Sequence, residues 1–123
     1  MKRIIALLAT LLIALLVGCQ IGKEVKPSEM NPNNLPDERA FHDEFTREFL
    51  QSIEETRPGY YPFLSKTGRY KMDFPAGGII SQPAYEIRNR SFEYLDVNVS
   101  FPNNTAGSLM VMYYGGNNNE RVD

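Results

Sequence analysis

The sequence contains a single cysteine, a single histidine and no tryptophan among its 123 residues. One cysteine cannot form an internal disulfide, and no cysteine and histidine residues have the spacing of a zinc site. Catalysis by a histidine base would have to use His42, and the G-x-S-x-G, P-loop and His-Glu-x-x-His motifs are absent. The sequence therefore argues against the common metal-dependent and nucleophilic hydrolase classes.

The sequence also has no excess of positive charge. The formal net charge is −2, and removal of an N-terminal leader containing Lys2 and Arg3 would leave 11 basic against 15 acidic residues, a charge of −4. Nucleic-acid binding depends on clustered lysine and arginine residues that neutralise phosphates. We expect no nucleic-acid partner.

The chain has one long apolar run, at residues 4–17, directly after the positively charged start Met1-Lys2-Arg3. A membrane-spanning helix needs about 20 apolar residues, so this run is shorter than a span and has the length of a signal-peptide core. We predict a signal peptide over residues 1–18. The alternative is a short anchor helix that stays uncleaved.

The run ends in Leu16-Val17-Gly18-Cys19, which resembles the lipobox of bacterial lipoproteins. The resemblance implies cleavage between Gly18 and Cys19 and attachment of diacylglycerol to the Cys19 sulfur. Two or more acyl chains give stable anchoring, whereas one gives marginal binding. It implies a protein held by its lipid at the extracytoplasmic face of the membrane, with no cofactor apart from the lipid on Cys19. A free thiol left by chance is the alternative.

Residues 19–36 are polar and contain three prolines, and such a composition buries too little apolar surface to fold alone. We interpret them as the lipidated N-terminus and a flexible tether. Residues 37–123 would form a small α+β domain.

The clearest helical signal in this domain is an apolar stripe with a spacing of four residues. Asn34 could cap the helix, and Pro58-Gly59 would stop it. The stripe would pack on a sheet or dock a partner protein. It consists of Phe41, Phe45, Phe49 and Ile53.

The rest of the chain is rich in aromatic and β-branched residues and predicts about four strands, near residues 70–74, 85–88, 92–101 and 109–114. The apolar phase slips within residues 92–101, and a β-bulge near Tyr94 would reconcile it. Residues 109–114 are apolar throughout, which is typical of a central strand covered on both faces.

The stretch GRYKMDFPAGG, residues 68–78, is similar to the opening strand of the PsbP/Mog1-like fold, in which such a strand runs into a proline-containing turn and then an antiparallel sheet. Secreted lipoproteins of that fold exist. The resemblance implies an α+β architecture, and no site residue is transferred from it.

We therefore predict an α+β fold with one N-terminal amphipathic helix packed on an antiparallel sheet of about four strands. The turn residues near the end of the sequence leave two interpretations open. The last strand is an edge, or the sequence is a shortened member of a longer family and the domain is incomplete.

The candidate binding surface consists of aromatic and arginine side chains, which dominate contact energy at interfaces. Packing into a satellite core, or cation–π stacking within the protein, would also explain them. The residues are Tyr60, Tyr61, Arg88 and Arg90.

Three functional hypotheses remain. The first is a membrane-anchored lipoprotein with a non-catalytic binding or accessory role toward another envelope protein. The second is a wall-polymer hydrolase with catalytic carboxylates on its strands, since paired acids can cleave glycosides. The third is a lipoprotein that captures a small ligand in a cleft lined by tyrosine and methionine.

Overall fold

The computed structural model describes residues 25–115, so the predicted signal peptide and the lipobox lie outside the described residues. Two 3-10 turns, Pro27–Glu29 and Pro32–Asn34, come first. They are followed by helices α1 (Arg39–His42) and α2 (Glu44–Arg47) and strands β1 (Tyr60–Leu64), β2 (Lys71–Pro75), β3 (Gly78–Ile80), β4 (Glu86–Arg88), β5 (Phe92–Ser100) and β6 (Ala106–Tyr114). Within this part of the chain, no helix has the length and apolar character that a bilayer span requires.

The segment predicted as one long helix forms two helices of a single turn each. Asp43, between them, has an extended backbone (ψ 116°), and its side chain accepts hydrogen bonds from the backbone N–H and the hydroxyl of Thr46. Aspartate competes in this way with helix continuation and caps the next helix. Phe41 and Phe49 are still fully buried, but Ile53 is exposed. The continuous helix is not confirmed.

Part of the predicted tether is folded onto the domain. Pro27 is fully buried, and the turn that it begins contacts α2. Proline suits the start of each turn because its φ is already fixed near the helical value. The folded part thus begins before the boundary predicted at residue 37.

The strands form two antiparallel sheets, which confirms a mixed helix-and-sheet fold. β1 and β2 make a hairpin in which Tyr61 lies opposite Phe74. In the second sheet β5 is central: β6 pairs along its whole length on one side, while β3 and β4 pair with separate parts of the other side. The sequence did not predict β1 and β3.

The predicted bulge near Tyr94 is wrong. The pairing of β5 with β6 runs without interruption from Phe92 opposite Tyr114 to Ser100 opposite Ala106. Burial alternates along β5, with Glu93 at the first of its buried positions. Glu93 therefore lies on the same buried face of β5 as Leu95 and Val97, and the inward-facing positions alternate without a shift.

The core lies between the two sheets and the short helices. Phe63 stacks between Phe49 and Phe74, with ring centroids 5.3 and 5.8 Å away. Burial of a phenylalanine side chain contributes about 1.5–3 kcal/mol, so these rings are a main source of stability. The buried apolar residues are Ala40, Phe41, Phe49, Leu50, Tyr61, Phe63, Phe74, Ile80, Leu95, Val97 and Val99.

β6 is an edge strand, so its prediction as a central strand covered on both faces is wrong for the described residues. It pairs only with β5, and residues 106–110 are all exposed. The sequence pattern was misleading because apolar residues on an uncovered face look the same as those of a buried strand.

Candidate functional site

The predicted tyrosine pair is divided between the core and the surface. Tyr61 is buried, with its ring edge-on to Phe41 at 4.7 Å. Desolvation, followed by the charges of Glu55 and Glu38, raises the pKa of Tyr61. Tyr60 points to the opposite face of β1, where the guanidinium of Arg57 lies 4.0 Å from its ring centroid. One face of the Tyr60 ring is therefore covered by Arg57.

Tyr60 lines a groove of about 520 Å³ between the β1–β2 hairpin and the end of β5. We call this the Tyr60 groove. Its surface is mostly apolar, with three prolines, two aromatic rings and one acidic and one basic side chain. The lining residues are Glu38, Arg39, Pro58, Gly59, Tyr60, Pro75, Ala76, Gly77, Val99, Ser100, Phe101 and Pro102.

Backbone contacts fix the floor of the Tyr60 groove. The Ser100 N–H donates to the Gly77 carbonyl at 3.0 Å, and a Cβ atom at Gly77 would overlap the Ser100 carbonyl oxygen. The Ala40 N–H donates to the Ala76 carbonyl at 3.0 Å, which holds α1 over the same turn. Glycine at position 77 thus allows the turn between β2 and β3 to approach the end of β5 closely.

Arg39 supplies the positive charge of the groove. Its Nη1 donates to the Gly77 carbonyl at 3.3 Å and to the Ser100 hydroxyl. These contacts hold the guanidinium at the groove wall while the residue as a whole stays exposed. Small-ligand and peptide sites typically combine a mostly apolar surface with a few placed polar groups, as this groove does.

The predicted arginine pair lies elsewhere. Arg88 and Arg90 are exposed at the turn that joins β4 to β5. Arg88 forms an ion pair with Glu86 at 2.6 Å, and its guanidinium lies 5.3 Å from the ring of Phe92. Since β5 rises about 3.3 Å per residue, its start is roughly 26 Å from the groove at its other end. The structure therefore does not bring the arginine pair near the tyrosine pair.

A buried carboxylate that the sequence analysis missed ties the hairpin loop to the second sheet. Glu93 is fully buried and accepts hydrogen bonds from the backbone N–H groups of Lys66 and Thr67, at 2.9 and 3.2 Å. The hydroxyls of Thr67 and Tyr85 also donate to it, at 2.9 and 3.0 Å. The alternation with Leu95 could have revealed this residue.

Two tyrosines, Tyr70 and Tyr85, lie next to Glu93. Burial, followed by the hydrogen bond to Glu93, raises the pKa of Tyr85 well above its usual value. Burial and the nearby Glu93 charge raise the pKa of Tyr70, whose enclosed hydroxyl has no hydrogen-bond partner among residues 25–115. The Lys66 ammonium lies beside the Tyr85 ring at 5.6 Å. Because Glu93 is fully buried and hydrogen-bonded within the protein, we interpret this cluster as stabilising the fold rather than as binding a ligand.

The other candidate chemical groups are dispersed. His42 is exposed, and its Nε2 lies 2.7 Å from the carboxylate of Asp37. Asp73 pairs with Arg57 at 3.3 Å. In the described part of the chain, no group of three or more His, Cys, Asp or Glu side chains is placed to hold a metal ion. The wall-polymer hydrolase stays a prediction.

Comparison with known proteins gives a family. A family model described as "Putative lipoprotein YvcA" matches residues 36–123. A Bacillus subtilis (strain 168) protein with the same description is 40% identical over 90 residues, covering 63% of this chain and 37% of the relative. The chain thus spans little more than a third of that relative. No solved structure matches significantly. These names confirm the resemblance to lipoproteins, and the model's name, YvcA_Mog1p, fits the Mog1-like resemblance.

Proposed function

This chain belongs to the family described as "Putative lipoprotein YvcA", and from that membership we propose a lipoprotein anchored in the cell membrane with a binding role at the cell envelope. The lipid is carried by Cys19, and the folded domain lies on the extracytoplasmic side. Its role is accessory rather than catalytic, toward another protein of the envelope.

The N-terminal sequence supports the anchor. A positively charged start, a 14-residue apolar run and Leu16-Val17-Gly18-Cys19 follow one another in the order that lipoprotein signal peptides use. Two acyl chains on Cys19 would hold the protein stably, because each buried methylene contributes about 0.8 kcal/mol.

The short link between anchor and domain supports a partner near the membrane. Pro27 is buried in the domain, so only seven residues, 20–26, and hence eight Cα–Cα steps, separate it from Cys19. An extended chain reaches at most about 3.5 Å per residue, so this link spans roughly 28 Å or less. The domain would therefore meet proteins at the membrane surface.

The Tyr60 groove is the observation that carries the binding role. It presents apolar surface from the half-buried Tyr60 and the exposed Phe101 next to the charge of Arg39. A polypeptide segment with an apolar side chain and a nearby acidic group would fit this combination. Aromatic and arginine side chains of this kind contribute most of the energy at protein interfaces.

Fractionation of the full chain tests the anchor. Unchanged protein should sediment with membranes, resist high salt and be released by detergent. Cys19→Ala should lose this behaviour, while the neighbouring Gln20→Ala keeps it. A Cys19→Ala protein that stays in the membrane fraction to the same extent would contradict the lipid anchor.

Photo-crosslinking in intact cells tests the groove. A photoreactive amino acid in place of Tyr60 should give a discrete protein adduct, and the same amino acid at the exposed control position Glu86 should not. Equal yields at both positions would contradict a protein-binding groove. Thermal stabilisation by a small aromatic ligand, without any adduct at position 60, would instead favour the small-ligand hypothesis.

A further inference from the structure

β6 has a free edge of unusual composition. It pairs with β5 on one side and, within residues 25–115, with no strand on the other. Its nine residues include no charge and no proline, although soluble proteins normally use these to block strand edges. Met110, Met112 and Tyr114 are 69%, 57% and 68% exposed. The edge is therefore open to backbone pairing with another strand.

We propose that this edge pairs with β6 of a second copy of the chain, antiparallel, about a two-fold axis at Met110. All nine residues then have a partner, and large side chains meet small ones. Tyr114 lies opposite Ala106, Tyr113 opposite Gly107 and Met112 opposite Ser108. Cross-strand pairs of this kind are the main unit of sheet stabilisation.

This register is specified by the strand itself. Moving the axis by one residue toward either end leaves two residues of each β6 without a partner in the other β6, and a shift toward Val111 also places Met110 opposite Met112. A two-fold axis also makes the contact self-complementary, as in the commonest class of protein dimers. The two four-stranded sheets would join into one continuous sheet.

The pairing also covers apolar surface on both sides of the sheet. On the outer face, the side chains of Met110, Met112 and Tyr114 would continue across the axis beside those of the second copy. On the core face, Leu109, which is 42% exposed, would lie opposite Val111 of the second copy. Exposed apolar patches of this kind mark interaction surfaces. The inference is independent of the Tyr60 groove and of the lipid anchor.

Disulfide crosslinking of the full chain in membranes tests the pairing. Residues directly opposite in an antiparallel pair have Cα atoms about 4.5–5.5 Å apart, within reach of a disulfide. Met110→Cys should therefore convert mostly to a species of twice the monomer mass on oxidation. Asn98→Cys, on the same face of β5, lies too far from the axis and should stay monomeric.

Equal crosslinking of Met110→Cys and Asn98→Cys would overturn the proposal. Unchanged protein, whose only thiol is Cys19, serves as the background; a dimer there would contradict the lipid on Cys19, not the strand pairing. Sedimentation of the detergent-solubilised unchanged protein gives a test without substitution. We expect a dimer. A monomer would overturn the proposal, because β6 would then be either unpaired or covered by something other than a second copy of the chain.

Discussion

Replacing Glu93 should destabilise the domain far more than replacing any exposed acid. The carboxylate is fully buried and accepts four hydrogen bonds, two from the backbone of the β1–β2 loop and two from the hydroxyls of Thr67 and Tyr85. Glu93→Ala leaves all four donors without their acceptor and opens a cavity. The loop would lose its attachment to the second sheet.

The expected loss follows from the burial of these donors. An unsatisfied buried donor costs about 1–3 kcal/mol, but those near the surface can recover water. The two donors that stay buried are the N–H and the hydroxyl of Thr67. We therefore expect Glu93→Ala to lower the free energy of unfolding by about 3–5 kcal/mol. Glu93→Gln should lower it by about 1–3 kcal/mol, because the amide keeps one acceptor oxygen. Such a loss is a large part of the 5–15 kcal/mol typical of a domain.

Urea denaturation followed by circular dichroism measures this loss as a change in the free energy of unfolding. Glu86→Ala is the control, because Glu86 is an exposed acid on the neighbouring strand β4 and should change stability by no more than about 0.5 kcal/mol. A Glu93→Ala protein within about 1 kcal/mol of the unchanged protein would refute the structural role of this carboxylate.

Three further predictions concern stability. Because folding raises the pKa of Tyr70 and Tyr85, the contribution of these two tyrosines to stability should be constant below about pH 9 and fall as the pH rises through 10, by at most about 1.4 kcal/mol per pH unit for each tyrosine; a flat profile between pH 9 and pH 11 would contradict this. Gly77→Ala should cost about 1–3 kcal/mol, because its methyl group would overlap the backbone of β5; an unchanged urea midpoint would contradict the close approach. Thr46→Val should cost about 1–3 kcal/mol by leaving the buried Ile80 N–H without an acceptor, and Thr46→Ser should restore most of it in the same assay.

The sequence predicted the burial of the aromatic stripe better than its backbone. The spacing of Phe41 and Phe49 correctly indicated a buried face, since both are fully enclosed. Periodicity could not show that Asp43 would hydrogen-bond Thr46 and interrupt the helix. Local side-chain hydrogen bonds of this kind compete with helix formation and leave no periodic signal.

The strands show a second limit of sequence reasoning. The sequence pattern predicts four of the six strands, but it wrongly predicts β6 at the centre of a sheet because residues 109–114 are apolar on both faces. Glu93 lies in phase with Leu95 on the buried face of β5, but its residue type argues against burial because a fully buried acid is rare. Only its tertiary partners, the loop N–H groups and Tyr85, make that position favourable.

The candidate site was predictable only in part. Its residue type alone predicts Tyr60 as a contact residue, and Tyr60 lines a groove. Arg39, which supplies the charge of that groove, gave no signal in the sequence because its partners Gly77 and Ser100 lie far away in the chain. Residue type also predicts Arg88 as a contact residue, but Arg88 pairs with the start of β5 whereas the Tyr60 groove lies at its end.

The most direct test of the lipoprotein account is the intact mass of the mature protein purified from membranes, combined with sequencing of its N-terminal peptide. We expect a chain that begins at Cys19 and carries a diacylglyceryl group in thioether linkage to the sulfur. A chain that retains residues 1–18, or one with an unmodified Cys19 thiol, would contradict the account.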